Sequence, residues 1–390
     1  MQLSSRITDL LGGGSDGWGV FLKARRMIGD GVSVTELTIG EHDIRTAAPI
    51  LQEMHRAAIA GHTGYAAVPG TDSLRDAVAA RVRERTGVST TRDNVLISPG
   101  GQAALYAAHV AACDPGDTAL YIDPYYATYP GTIRGVSAVP QRVPARAEDA
   151  FQPRPENIAA VAAGAKSLLI NSPNNPTGVV YSRATLEGIA RVCIDHDLWL
   201  ISDEVYDTQV WTGEHVSPRA LPDMAHRTLV VGSMSKSHAM TGSRCGWIVG
   251  PVEAIEHLIN LATHTTYGVP GYIQDAALFA LSQGPEFEAE IAAPFARRRQ
   301  LARGILADQN AVSLVPADGA MYLMLDIRST GMTGEEFANA LLDQHHIAVM
   351  PGESFGDAAA GHIRVAMTIE DGEFGNAVST LCKFAEELAA

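Results

Sequence analysis

Five short apolar runs in this chain end in residues able to do chemistry, and one of them ends in a lysine. TLVVG leads to Ser233, Ser235 and Lys236, with Arg244 eight residues beyond the lysine. VLIS (95–98) leads to Gly100, Gly101 and Gln102, and TALYI (118–122) to Asp123, Tyr125 and Tyr126. SLLI leads to NSPNNPTG, which holds Asn175, and LWLIS to Asp203 and Tyr206. A glycine pair that opens a helix offers free backbone N–H groups to a phosphate. Two serines and an arginine add hydroxyl and guanidinium donors for the same anion. Asp203 can hold a protonated ring nitrogen, and Tyr126 can stack on a flat ring; Tyr125 competes for that place. Lys236 can form an imine with an aldehyde.

Each residue alone has a bland reading. Lysine is mostly a surface residue. Asp203 can cap a helix, Tyr206 can be a core aromatic, and Arg364 can serve a structural ion pair. Asn-Pro and Thr-Gly favour turns whatever the function, and a Gly–Gly turn before a helix is common. Five such ends together point to one shared site, because ligands of open α/β sheets gather at the carboxyl ends of the strands. The apolar runs alternate with helical patterns such as QAALYAAHVAAC and TLEGIARVCIDH (185–196), which predicts an α/β fold with a mainly parallel sheet covered on both faces. Before it, 18–29 reads as an amphipathic helix and 33–39 as a strand ending at Gly40. Past Gly284–Pro285 the character changes to a smaller α+β lobe. It holds a long helix over 286–306, a bent hairpin in VSLVPADGAMYLMLDI, a helix in GEEFANALLDQHH, strands in IAVMPG and HIRVAMT, and a final helix.

With 390 residues, 46% hydrophobic and 19% charged, the composition is that of an ordinary globular protein. The net charge of −15 speaks against nucleic acid or an anionic membrane surface as partner. The densest basic cluster, Arg297, Arg298, Arg299 and Arg303, reads as a solvated helix face. Cys113, Cys193, Cys245 and Cys382 are scattered, with no C-x-x-C pair, so reduced buried thiols and no metal site are expected. The first residues lack the design of a signal peptide, and no run is long enough for a membrane span, so the expected location is cytoplasmic.

Phosphate, pyridine nitrogen, aldehyde and flat ring are the parts of pyridoxal 5'-phosphate (PLP), an electron sink for carbanions. In keeping with it, SMSKSHAMTGSRCGW (233–247) resembles the Schiff-base segment of the class I/II aminotransferases. NNPTG (174–178) resembles their Asn-Pro-Thr-Gly turn, DEVYD (203–207) their Asp-x-x-Tyr element, and HIRVAMT (362–368) the strand with their carboxylate-binding arginine. LTIGEHDI (37–44), YAAVPGTDSLRDAVA (65–79) and VMPGESFG (349–356) look like further elements of the family, in the expected order.

The resemblance, to aminotransferases of the aspartate/aromatic kind, implies a PLP-dependent transferase fold of type I. A large PLP-binding domain would span 45–283, and a small domain would combine 1–44 with 284–390. It implies transfer of an amino group from an L-amino acid to a 2-oxo acid, with 2-oxoglutarate the expected acceptor. Lys236 would carry PLP as a Schiff base and shuttle the proton, Asp203 would pair with the ring nitrogen, and Asn175 and Tyr206 would donate to the ring oxygen. Gly101, Gln102, Ser233, Ser235 and Arg244 would bind the phosphate, and Tyr126 would stack on the ring. Arg364 would grip the substrate carboxylate, with Asn175 assisting and Gly40 letting the backbone approach. Tyr65 would reach the partner's phosphate in a homodimer.

The alternative on the same fold is a β-eliminating C–S lyase, whose members usually depart from NPTG and from the AMTG-x-R segment kept here. A regulator with an aminotransferase-like sensing domain would carry an N-terminal DNA-binding domain, and only about 17 residues precede the first family-like helix. The donor stays open between aspartate, aromatic and small neutral amino acids. Gln102 stands where some aspartate-specific relatives have lysine; Arg25, Arg26 or Arg45 could meet a distal carboxylate, and Trp18, Tyr65 and Tyr267 could line an aromatic-friendly pocket.

Overall fold

The apolar runs assemble into one seven-stranded sheet. Its strands are β1 (Val95–Ser98), β2 (Thr118–Asp123), β3 (Val139–Pro144), β4 (Ala165–Asn171), β5 (Trp199–Asp203), β6 (Thr228–Ser233) and β7 (Gly246–Val249). They lie in the order β1-β7-β6-β5-β4-β2-β3. All neighbours are parallel except β7, which runs antiparallel to both β1 and β6. This computed structural model describes residues 1–12 and 17–389, so residues 13–16 of the expected small domain and the last residue lie outside it.

Successive side chains of a strand face opposite sides, and here both sides are covered. Leu120, Leu168 and Leu200 pack with Leu186 and Ile189 of the helix Arg183–Asp195. Their chain neighbours Tyr121, Leu169 and Ile201 pack with Ala104, Leu105 and Ala108 of the helix Gly101–Ala112. Local signals set the helix ends. Ser182 accepts from the Thr185 amide at one N-terminus, and Gly87, at φ +71°, closes the helix Asp72–Thr86.

The C-terminal part forms a separate antiparallel sheet, in the order Met350–Pro351, His362–Ala366, Tyr322–Asp326 and Ser313–Leu314. Phe295, Phe337 and Phe374 are among the largest fully buried side chains of the core beside it. The strand expected over 33–39 is only Thr35–Glu36, paired with Ile347–Ala348. Beyond it the segment is shared between neighbours: the Leu37 amide donates to the Ala348 carbonyl, and the Leu37 carbonyl accepts from the Ala366 amide.

The arginine cluster is not the solvated face its density suggested. Arg298 and Arg299, on the helix Gly284–Ala307, are buried. Arg298 pairs with Asp43 at 2.6 Å and with Asp371 at 2.8 Å, joining the N-terminal segment to the last helix. Arg297 and Arg303 are exposed.

Candidate active site

The carboxyl ends of β1, β2, β4, β5 and β6 converge on a cavity of about 270 Å³. Ser233, the last residue of β6, caps the short helix Met234–Ser237 by accepting from the Ser235 amide at 3.1 Å. That turn aims Lys236 into the cavity, where its Nζ donates to the Gly40 carbonyl and lies 6.0 Å from the Tyr206 ring centre. Burial lowers the lysine pKa from its ordinary value. Asp203 ends β5 in the same cavity. Its Oδ2 accepts from the Tyr129 hydroxyl at 2.7 Å and its Oδ1 from the Val205 amide at 3.3 Å. Burial pushes this carboxyl up to about 6.

Arg364 enters from the second sheet. Its guanidinium lies between the rings of Tyr322 and Phe355, 4.4 Å from each centroid. Nη1 donates to Asn175 Oδ1 at 2.9 Å and Nη2 to the Thr38 carbonyl, while Nε is buried without a partner. The Tyr322 hydroxyl is 3.0 Å from that of Tyr206 and accepts from Asn175 Nδ2 at 3.5 Å. A Cβ at Gly40 would overlap the Tyr322 hydroxyl, so only glycine leaves room there.

At the opposite end, Gly100 precedes the helix Gly101–Ala112 at φ +81°, and a Cβ on it would overlap the Arg244 guanidinium. Arg244, itself at φ +49°, is held by donating to the Thr241 carbonyl at 2.8 Å. Ser233 and Ser235 complete this end, their hydroxyls 3.0 Å apart. Gln102 lines the cavity too, its side-chain amide bonded to Thr132 and Thr128.

A sequence profile described as Aminotransferase class I and II matches residues 32–381. The chain belongs to that family. Arginine–pyruvate transaminase of Pseudomonas aeruginosa is similar to it at 42% identity, over 95% of this chain and 94% of that one. Aspartate/prephenate aminotransferase of Thermus thermophilus is similar at 35%, over 88% and 89%. A solved structure, aspartate aminotransferase from Thermus thermophilus with maleate, superposes with a TM-score of 0.91 at 32% identity, covering 98% and 99% of the two chains. The protein is thus a PLP-dependent aminotransferase of fold type I, and the lyase alternative is not favoured.

The cavity of this aminotransferase fits its cofactor. Its wall offers an arginine, two serines and an open helix N-terminus to a phosphate, together with an amine and the Asp203 carboxyl. Of the two neighbouring tyrosines, Tyr126 lines the cavity, edge-on to Tyr129, while Tyr125 packs on Tyr121. Tyr65 is not brought to the cavity of its own chain: it is 93% exposed and packs on Tyr267. Of the aromatic trio, only Trp18 lines the cavity. Arg25, Arg26 and Arg45 stay outside it, Arg25 being paired with Glu36.

Tyr129, Tyr322, Asn171 and Thr241 were not anticipated. Tyr129 stands three residues after Tyr126 and opens the helix Tyr129–Gly135, in the same polar stretch beyond the strand end. Tyr322 stands within an apolar strand, where nothing local distinguishes it from core.

The Asp203 carboxyl carries a testable cost. Its pKa is raised in the fold, so the folded chain without cofactor binds its proton more tightly than the unfolded chain. The penalty is absent below the ordinary 3.8, grows as pH rises, and is complete above about 6. That interval is worth roughly 3 kcal/mol. Asp203→Asn should therefore stabilise the cofactor-free chain at neutral pH and reduce its loss of stability between those values, to which the buried Asp123, also raised to about 6, contributes as well. Denaturant unfolding of both proteins across that range checks it.

Proposed function

We propose that this aminotransferase works through the residues gathered around Lys236, and that the presence of Lys236 and Arg364 on the wall of one cavity is the observation that carries the reading. Bound there, PLP supplies a sink for the electron pair left on the substrate Cα. Gly101, Gln102, Ser233, Ser235 and Arg244 hold its phosphate. Asp203 keeps a proton on the ring nitrogen, with Tyr129 fixing the carboxylate. Asn175 and Tyr206 donate to the ring oxygen, and Tyr126 stacks on the ring. Arg364 takes the substrate α-carboxylate with its free Nε and its Nη groups, while Tyr322 and Phe355 keep the guanidinium plane upright. Lys236 Nζ, its basicity lowered by burial, would hold the cofactor and would be the group that takes and returns the proton of the substrate Cα.

The same reading includes a large domain over 45–283 and a small one formed by 1–44 and 284–390, supported by the separation of the seven-stranded sheet from the four-stranded one. It includes a homodimer in which Tyr65, exposed on its own chain, reaches the partner's phosphate. It also includes a cytoplasmic location, which the four buried, unpaired cysteines support. Among the described residues no helix is long and apolar enough to cross a membrane. The relatives' names print arginine with pyruvate and aspartate with prephenate, which supports a 2-oxo acid as acceptor, with 2-oxoglutarate or pyruvate the proposed one.

A half-reaction tests the reading. Single L-amino acids, added without acceptor, should remove the visible absorbance of the lysine-bound cofactor, and a 2-oxo acid should restore it. If the band survived every amino acid while pyruvate accumulated from β-chloroalanine, the chain would be a lyase.

A further inference from the structure

The turn after the strand Met350–Pro351 carries Phe355, one of the two rings against the Arg364 guanidinium. That turn is itself held from the large sheet, by residues at the end of β2. The Tyr125 amide donates to the Phe355 carbonyl at 2.9 Å. Asp123, the last residue of β2, accepts from the Ala358 amide at 3.3 Å. Gly356 stands between these two bonds at φ +116°, and a Cβ on it would overlap the Asp123 carboxylate. Phe355 and Asp123 are both buried. None of the roles proposed above uses this buried acid.

Asp123 lines a second cavity, of about 470 Å³, which shares no wall residue with the one around Lys236. Other charged groups face it there. Arg142 of β3 pairs with Asp357 at 2.7 Å, and Arg328 pairs with Asp326. Arg146 and Glu148 are exposed, and His362 Nδ1 lies 3.0 Å from the Ala360 carbonyl. Tyr121 and Tyr125 flank Asp123 in the chain, and burial raises both hydroxyls, so they keep their protons. Burial pushes the Asp123 carboxyl up to about 6, against the opposing pull of the Ala358 amide and Arg142. Asp123 is thus charged at neutral pH and mostly neutral near pH ~5. A charged acceptor holds an amide roughly twice as strongly as a neutral one.

We infer that Asp123 is a positioning residue for carboxylate recognition: with the Tyr125 amide it fixes the turn over 355–358, and through Phe355 it keeps the Arg364 guanidinium in its slot. This deepens the reading above and rests on it. Asp123 touches no substrate. Its influence passes through one aromatic ring to the grip on the carboxylate and leaves the proton chemistry at Lys236 alone. The effect therefore falls on KM, for any substrate with a carboxylate, and not on the limiting rate.

The test uses holoenzyme first converted by an L-amino acid, freed of it, and then given pyruvate or 2-oxoglutarate. These bring carboxylates and no amine to titrate, and recovery of the visible band yields KM and limiting rate. The ratio of KM in Asp123→Asn to native KM should be about five near pH ~7.5 and fall to about one near pH ~5, where the native carboxyl is neutral too. Limiting rates should agree within about twofold. Phe355→Leu should raise KM at every pH, and adding Asp123→Asn to it should change nothing further, as expected of two residues acting in series. Should Asp123→Asn fold poorly, Phe355→Leu still decides, because its KM must vary less with pH than the native one. A ratio of one throughout overturns the inference. So does a raised ratio that ignores pH, which would leave Asp123 a structural part and assign any native slope to other groups such as His362. Additive effects in the double variant overturn it as well. A band that no 2-oxo acid restores, even in native enzyme, instead takes down the transamination reading and this inference with it.

Discussion

Replacing Lys236 with alanine is expected to lower kcat for transamination on the order of 10⁴-fold, the upper end of what one positioned acid–base group contributes. The loss is large because no neighbour can take over the proton. Tyr206 is hydrogen-bonded to Tyr322, and burial raises its hydroxyl pKa far above the ordinary value, so it holds its proton. Asp203 is engaged by Tyr129 and Val205. Ser233 and Ser235 bond each other and lie at the phosphate end. The cofactor should still bind, more weakly, through the groups that cradle its phosphate. Steady-state kcat, measured beside an absorbance titration with cofactor, separates the two effects. A variant that kept kcat within tenfold of the native value would end the case for Lys236 as the proton carrier.

The second large effect belongs to Arg364. Arg364→Lys keeps the charge but loses the plane, and the difference is decisive here. The guanidinium is gripped between two aromatic faces and donates to Asn175 and Thr38 at once. An ammonium group can neither fill that slot nor meet a carboxylate with two parallel bonds. KM for the amino acid donor should rise about 100-fold, close to 3 kcal/mol, with a smaller change in kcat. Because Arg364 also joins three chain segments, the thermal midpoint of the variant should be measured beside its KM. A KM within about threefold of the native value would remove Arg364 from substrate recognition.

The residues that carry the proposed chemistry stood out in the sequence because they occupy strand ends. An apolar run followed by Gly–Gly, by Asn-Pro or by Ser-x-Ser-Lys changes abruptly from core to polar, and that change is local. What escaped was of two kinds. β3 (VPQRVP) is an edge strand, half exposed and carrying two prolines, so no apolar run announces it. β7 has only four residues and follows the lysine segment directly, where its strand pattern is submerged in the motif. Tyr129 and Tyr322 owe their places to contacts 74 and 116 residues away in the chain, and no local pattern encodes such distances. Arg298 and Arg299 misled for the opposite reason: the local pattern was a run of charge, and the acids that pair with them come from Asp43, Asp318 and Asp371.

Those separations also bear on how the protein is made. Lys236 meets the Gly40 carbonyl across 196 residues of chain, and Arg364 meets the Thr38 carbonyl across 326. A ribosome delivers all seven strands of the large sheet by residue 249, long before the guanidinium emerges. The nascent chain can therefore possess its lysine, its phosphate cradle and a folded sheet while the wall that receives the amino acid does not yet exist. Synthesis that stops short of the last thirty or so residues leaves out Arg364, so the final strand, last in time, is what completes the wall proposed to receive the amino acid.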